Sequence, residues 1–327
     1  MKKIAIIGLG QLGSRHLQAL AALTERVDIE LVDLSVAALE VAIARFYEMP
    51  AASNFKGTIK KFRSVNDLTA TLDLVIIACN SMERRALTEL LLNAKTVKYL
   101  ILEKVLFPSI EDYGVVGELI KQKHVKAWVN CSRRMMPSYR MIKELVTPGA
   151  PVHFVVDGAK WGMGSNGIHF IDLFCYLTSD YSLKLHSDLL DEINPVESNR
   201  KGYIDFTGTY TGETGRKDFF SMTSWSVGSA PVQVQIYTPF ERIVVNESFG
   251  NMSYSAEKEG WKTEQRDFEI LYQSSLTTIL VNDIFKTGEC NLPTYNEAKQ
   301  THLLFLSSLI NYQHKKSGIE SKLCQIT

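Results

Sequence analysis

The chain has 327 residues, 45% apolar and 22% charged, with 36 basic against 36 acidic side chains and a net charge of zero. That is the profile of a globular protein of one large or two ordinary domains, and the charge balance argues against a surface built to hold nucleic acid phosphates. Cysteines at 79, 131, 175, 290 and 324 are widely spaced with no C-x-x-C, so neither a metal site nor a disulfide framework is expected. The start, "MKKIAIIGLGQLG", sets two lysines before an apolar run, but Gly8, Gly10 and Gln11 break it too early for a signal peptide. No segment reaches the length of a membrane span. A cytoplasmic protein with no membrane or nucleic acid partner is expected.

In chain order, "IAIIG" (4–8), "IELVD" (29–33), the weaker "TIKKF" (58–62), "LDLVIIA" (72–78), "YLILE" (99–103) and "KAWVN" (126–130) read as buried strands. Between them "LGSRHLQALAAL", "VAALEVAIARFY", "MERRALTELLLNA" and "SIEDYGVVGELIKQK" carry apolar positions at helical spacing. The alternation predicts an α/β domain over 1–125, a doubly wound parallel sheet of the Rossmann kind with right-handed crossovers. Unbroken apolarity in the strands agrees with burial on both faces. The pattern then changes. "PVHFVVDGAKW" reads as a strand and "NGIHFIDLFCYLT" as a helix. Short strands follow in "YIDFTGTYTG", "FFSMTSWSV", "VQVQIYTPF" and "ERIVVNES", then helices near 266–286 and 295–315. Residues 126–327 are therefore expected to form an α+β domain with a large, mostly antiparallel open sheet.

Four stretches carry candidate chemistry. "GLGQLG", Gly8 to Gly13, follows a strand and opens a helix, the setting in which G-x-G-x-x-G cradles a pyrophosphate. Gly8 permits the turn, Gly10 lets the phosphates approach the backbone, and Gly13 lets the helix pack close. Asp33 ends the next strand, where a carboxylate binds ribose hydroxyls and repels a 2′-phosphate; no adjacent Arg stands beside it to receive that phosphate. "YLILEKVLF" (99–107) ends an apolar strand in Glu103 and Lys104. Strand ends of a parallel sheet face the ligand, which places Lys104 where a nicotinamide would lie, although a lysine snorkelling to solvent or pairing with Glu103 fits the position equally. In "GMGSNGIHFIDLF" (162–174), Asn166, His169 and Asp172 share one helix face, while Ile168, Ile171 and Phe174 form an apolar one. His169 is expected in the first turn, beside a carboxylate, as an acid–base group or as a core histidine bonded to Asp172. "NCSRRMMPSYR" (130–140) offers Arg133, Arg134, Tyr139 and Arg140 to a phosphate or sugar, or else starts a solvated helix.

These pieces, in this order, resemble the glucose–fructose oxidoreductase / inositol dehydrogenase (Gfo/Idh/MocA) family over nearly the whole chain. "GLGQLGSRHLQAL" resembles its dinucleotide loop, "LEKVLF" its E-K-P motif, "NCSRRMMPSYRMIKEL" its Arg-rich segment, "NGIHFIDLFCYLT" its histidine helix and "NLPTYNEAKQTHLLFLSSL" its closing helix. The resemblance implies Lys104 and His169 as catalytic residues. It implies a cofactor site of Gly8, Gly10, Gln11, Leu12, Gly13, Asp33, Cys79, Asn80, Arg84, Glu103 and Lys104, holding NAD in preference to NADP. It implies substrate contacts from Asn166, Asp172, Arg134, Tyr139 and Trp161. It further implies an oxidoreductase acting on a sugar, cyclitol or nucleotide sugar, with some likeness to enzymes of cell-surface polysaccharide synthesis, and a homodimer or homotetramer. An NAD-retaining hydrolase or epimerase and a non-catalytic dinucleotide-binding regulator are the alternatives. The sequence departs from the family at Val105 in place of the E-K-P proline, at Asn166 in place of an aspartate, and at Arg84 in place of a common histidine. Because a cis bond before a non-proline residue costs about 3–4 kcal/mol, the Lys104–Val105 peptide is expected to be trans.

Overall fold

The computed structural model describes residues 1–318 and 320–327, which divide into two compact units. The first comprises Met1–Phe107, Glu111–Ser132 and Leu271–Ala298; the second comprises Pro108–Ile110, Arg133–Ile270 and Lys299–Thr327. The path is therefore discontinuous, and a single cut at 125/126 does not describe it.

In the first unit, β1 (Lys2–Ile7), β2 (Val27–Val32), β3 (Ile59–Phe62), β4 (Thr71–Ile77), β5 (Thr96–Leu102) and β6 (Lys126–Val129) form one sheet in the order β3-β2-β1-β4-β5-β6. Every pair is parallel. Ile4–Ile7, Leu74–Ile77 and Tyr99–Leu102 are buried without alternation, as strands covered on both faces must be. The helices are α1 (Gln11–Leu20), α2 (Val36–Tyr47), α3 (Ser81–Ala94) and α4 (Ile110–Gln122). Strand order reverses between β1 and β4. The carboxyl ends of these two strands and of β2 and β5 define the ligand-binding end of such a sheet.

The second unit contains α5 (Pro137–Leu145), β7 (His153–Ala159), α6 (Met163–Thr178), β8 (Leu183–Leu190) and the short pair β9 (Val196–Glu197) and β10 (Ile204–Asp205). Then follow β11 (Gly208–Thr214), β12 (Phe219–Trp225), β13 (Gln233–Tyr237), β14 (Glu241–Asn246), β15 (Asn251–Ala256) and β16 (Glu264–Asp267). Eight of these strands make a sheet in the order β16-β15-β14-β13-β7-β12-β11-β8, antiparallel except for β7 with β12. Burial alternates along the strands, so one face is covered and one open. Phe154 and Phe220 stack within the covered face and Phe174 of α6 packs on Phe220, with ring centroids 5.9 and 5.5 Å apart.

Several expectations are revised. The helix expected from 266 begins at Gln273 as α7 (Gln273–Thr287), because Glu264–Asp267 pair with β15 instead. Helix α7 lies with the first unit, where Thr278 donates to the Ala19 carbonyl at the end of α1. The last helix, α8, runs Tyr295–Ser317. The apolar and polar faces expected for the histidine helix are not distinct: α6 is buried on nearly every side, Ile168 through Cys175 included. The segment 130–140, open between ligand contacts and a solvated helix start, holds a 3-10 turn at Ser132–Met135 followed by α5, with Arg134 and Tyr139 buried, which removes the solvated alternative for those two. Finally, the Lys104–Val105 peptide is cis, not trans. Local sequence preference sets the trans expectation, whereas this turn lies in tertiary contact: Val105 is buried, and its carbonyl and that of Leu106 accept hydrogen bonds from Arg84 of α3.

Candidate functional site

The glycine loop is built as its spacing requires. Gly8 adopts φ 90°, and a side chain there would meet the Cys79 backbone nitrogen at 2.7 Å. A Cβ at Gly13 would overlap the Gly8 carbonyl, so only glycine lets α1 approach β1 this closely. Gly10 caps α1 without a side-chain bond, and the space where its Cβ would stand is open to 4 Å. The first amides of α1 are thus presented without a side-chain cap, with the positive end of the helix dipole, which is what a pyrophosphate needs. Gln11 accepts from Arg45 of α2 at 2.8 Å. Asp33, directly after β2, is half-buried; it accepts from the Leu9 amide at 2.7 Å and the Ser35 amide at 2.8 Å, fixing its carboxylate against the loop. These residues fit a dinucleotide. One feature was invisible in the sequence: Arg63, just past β3, donates to the Leu34 carbonyl at 2.8 Å, so an arginine does reach the loop after Asp33.

At the end of β5, Glu103 turns into a buried network. Its Oε1 lies 2.8 Å from His16 Nε2 and accepts from Asn130 Nδ2 at 2.6 Å. His16 Nδ1 is 2.8 Å from the Thr277 hydroxyl, and Gln273 joins Asn130 and Thr277 at 2.9 and 2.8 Å. Burial pushes the Glu103 carboxyl up, but the His16 bond and charge, then Asn130 and Arg84, outweigh it and hold the group below its ordinary value. The network joins α1, α7 and the ends of β5 and β6 at the residue before Lys104, which is itself half-buried. Glu103 therefore belongs to the support of the site. It is engaged there by His16 and Asn130.

Beyond β4, Asn80 caps α3 by accepting from the Glu83 amide at 3.2 Å. Burial raises the Cys79 thiol, with Arg84 opposing it. Arg84 is 1% exposed, and its guanidinium donates to the carbonyls of Cys79, Val105 and Leu106. It thus binds the backbone at two strand ends.

In the second unit, α6 begins at Met163 with Gly162 as cap. His169 is consequently its seventh residue, in the second turn and beyond the main reach of the helix dipole, rather than in the first turn. The helix starts early because Asp205 of β10 accepts from the Gly164 amide at 2.6 Å, and burial raises that carboxyl. Asn166 is not the cap: its amide donates to the Trp161 carbonyl at 2.8 Å. The Trp161 indole in turn donates to the Thr223 carbonyl at 2.8 Å. Asp172 accepts from Arg134 at 3.4 Å, and Arg134 also meets the Tyr181 hydroxyl at 3.2 Å. Tyr139 donates to Glu247 at 2.6 Å, while Arg133 binds both oxygens of Glu247 at 2.9 and 3.0 Å. Burial, reinforced by Glu247, pushes the Tyr139 phenol well above its ordinary value, so it stays protonated. Tyr139 and Arg134 are thereby tied into the frame of the unit. Glu247 and Asp205, each an isolated acidic residue in a strand-rich stretch, gave no sequence signal.

The structure thus gathers the glycine loop, Asp33, Cys79, Asn80, Arg84, Glu103 and Lys104 at the carboxyl ends of β1, β2, β4 and β5 in the first unit, and Arg134, Trp161, Asn166, His169 and Asp172 on or against α6 in the second, where Tyr139 of α5 instead meets Glu247 and Phe268. An open parallel sheet with an uncapped glycine loop and an acidic residue after β2 defines a dinucleotide-binding class of protein. Residues 2–131 match the Gfo/Idh/MocA family, described as an oxidoreductase family with an NAD-binding Rossmann fold. No curated protein matches the chain in sequence. The fold is similar to that of the super-repressor mutant of Gal80p from Saccharomyces cerevisiae (TM-score 0.73, 16% identity, covering 97% of this chain and 96% of that one). It is similar also to UDP-N-acetylglucosamine 3-dehydrogenase from Acidithiobacillus ferrooxidans (0.69, 15%, 94% and 96%). A third similar structure is an oxidoreductase from Agrobacterium radiobacter in complex with NAD+, L-tartaric acid and magnesium (0.71, 16%, 97% and 97%).

Proposed function

We propose that the protein is an NAD-dependent oxidoreductase moving a hydride between nicotinamide and a carbinol or ketone carbon of a sugar, cyclitol or nucleotide sugar. The observation that carries this reading is the uncapped Gly8–Gly13 loop with Asp33 fixed beside it, on the sheet whose fifth strand ends in Lys104. The cofactor would supply the hydride acceptor. The loop amides bind its pyrophosphate and Asp33 its ribose hydroxyls; Lys104 donates to the substrate oxygen and stabilises charge on it, and His169 takes the hydroxyl proton. The similar fold of a UDP-sugar dehydrogenase supports the substrate class. A homodimer or homotetramer through the open face of the eight-stranded sheet belongs to the same reading. On that face Tyr237, Gln235, Gln233, Asn246 and Asn251 form a continuous hydrogen-bonded row. Cytoplasmic residence is supported by the five cysteines, none of them in a disulfide among the described residues. Among the described residues, no helix is long and apolar enough to cross a membrane. The test is NADH binding followed by a panel of nucleotide sugars and cyclitols, read as NADH formed or consumed.

One observation favours a second reading. Asn166 stands where a carboxylate would serve the proton relay, as suits a non-catalytic dinucleotide-binding regulator. NADH binding with no turnover on the panel and no chemically altered sugar would select it. Altered sugar with no net NADH would select an NAD-retaining hydrolase or epimerase.

A further inference from the structure

We propose that Arg84 is a positioning residue for Lys104, its guanidinium clamping the backbone that follows the lysine to the end of the neighbouring strand. The inference rests on the dinucleotide reading of the first unit and deepens it. Arg84 is the fourth residue of α3, and Asn80 sets where that helix begins. From there its side chain reaches the Val105 and Leu106 carbonyls beyond β5, the latter at 2.8 Å, and the Cys79 carbonyl beyond β4. Only a planar fork with separated donors can serve three carbonyls from two strand ends at once; an ammonium is a single point. The first of these carbonyls belongs to the residue bonded to Lys104. Fixing it fixes the Lys104 backbone and so the origin of its side chain. A buried cation is costly unless compensated. Here the carbonyl oxygens provide that compensation, together with the charge on Glu103, the residue on the other side of Lys104. Arg84 and Glu103 thus hold Lys104 from both neighbours in the chain, one through α3 and the other through the His16 network.

The test uses the full chain and the variants Arg84→Lys and Arg84→Met. Acetylation of Lys104 by an N-hydroxysuccinimide ester is followed by peptide mass spectrometry with and without NAD, and NADH affinity is measured by nicotinamide fluorescence. At a NAD concentration ten times Kd, Lys104 of the wild type is shielded by about tenfold. Arg84→Lys, which keeps the charge, loses that shielding while its NADH affinity, set by the glycine loop and Asp33, stays within about threefold. Arg84→Met behaves likewise where it folds, and Arg84→Lys decides where it does not. A merely structural arginine predicts a lower melting temperature with full shielding in the folded variant, and that result overturns the inference. Wild-type protein that binds NADH but leaves Lys104 unshielded overturns it too, with the dinucleotide reading intact. Failure of the wild type to bind NADH removes both.

Discussion

Gly10 and Gly13 lie three residues apart, and alanine at each should produce different failures. At Gly10 the backbone has φ −63° and ψ −164°, which alanine adopts without strain, and a Cβ finds no atom within 4 Å. Folding should therefore change little, with a gain of up to about 0.4–1 kcal/mol from reduced freedom of the unfolded chain. The same methyl enters the space in which the phosphates approach the amides of α1. Loss or displacement of one charge-assisted bond, about 1.5–3 kcal/mol, lowers NADH affinity by roughly ten- to a hundredfold. At Gly13 the Cβ overlaps the Gly8 carbonyl oxygen and stands 2.9 Å from its carbon, both backbone atoms that cannot swing aside. Alanine there costs about 1–3 kcal/mol of overpacking and distorts the loop as well. Thermal melting and NADH titration on both variants check this. Gly10→Ala with normal NADH affinity and normal stability would refute the placement of the phosphates.

Asp33 should favour NADH over NADPH by carboxylate–phosphate repulsion, and Arg63→Ala should widen the preference by removing the nearby guanidinium; tighter NADPH binding by the wild type would contradict this. Glu103 is held below its ordinary value of 4.5, so the stability it contributes is complete above that value and is lost as pH falls through its lower folded value. Glu103→Gln should flatten this acid limb in urea unfolding series and lower stability near neutrality by a few kcal/mol at most, about 3–5 being the cost when a partner is removed outright; an unchanged acid limb would show that the pair contributes nothing. Asn166→Asp introduces a titrating group one turn before His169, so it should shift the pH profile of turnover; an unmoved profile in an active assay would take position 166 out of the proton relay.

The parallel sheet could be read from the chain because strands buried on both faces must be continuously apolar: "IAIIG" and "LDLVIIA" admit few other structures, and helix α2 falls on the expected residues 36–47. The glycine loop was equally open to reading, since its backbone requirements permit no other residue at Gly8 and Gly13. What escaped was set by partners far along the chain. The apolar periodicity of α7 does not say which core it joins, and its return to the first unit depends on His16 meeting Thr277. The start of α6 depends on Asp205, which is 41 residues from Gly164. Arg84 drew notice only as the residue in place of a histidine common in the resembled family; its three carbonyl partners lie in turns that carry no side-chain signal. Glu247 binds both Arg133 and Tyr139 from more than 100 residues along the chain, a contact their own segment does not signal.

Lys104 is the charge that closes an apolar strand. Lys104→Met keeps the length of the side chain and removes the ammonium, leaving the glycine loop and Asp33 to hold the cofactor. The deciding measurement is single-turnover hydride transfer by this variant with a substrate identified from the panel, at saturating NAD. The expected rate is lower by roughly two to four powers of ten, with near-normal NADH affinity and melting temperature. Near-normal hydride transfer in a protein that melts earlier would contradict it and make Lys104 a structural residue.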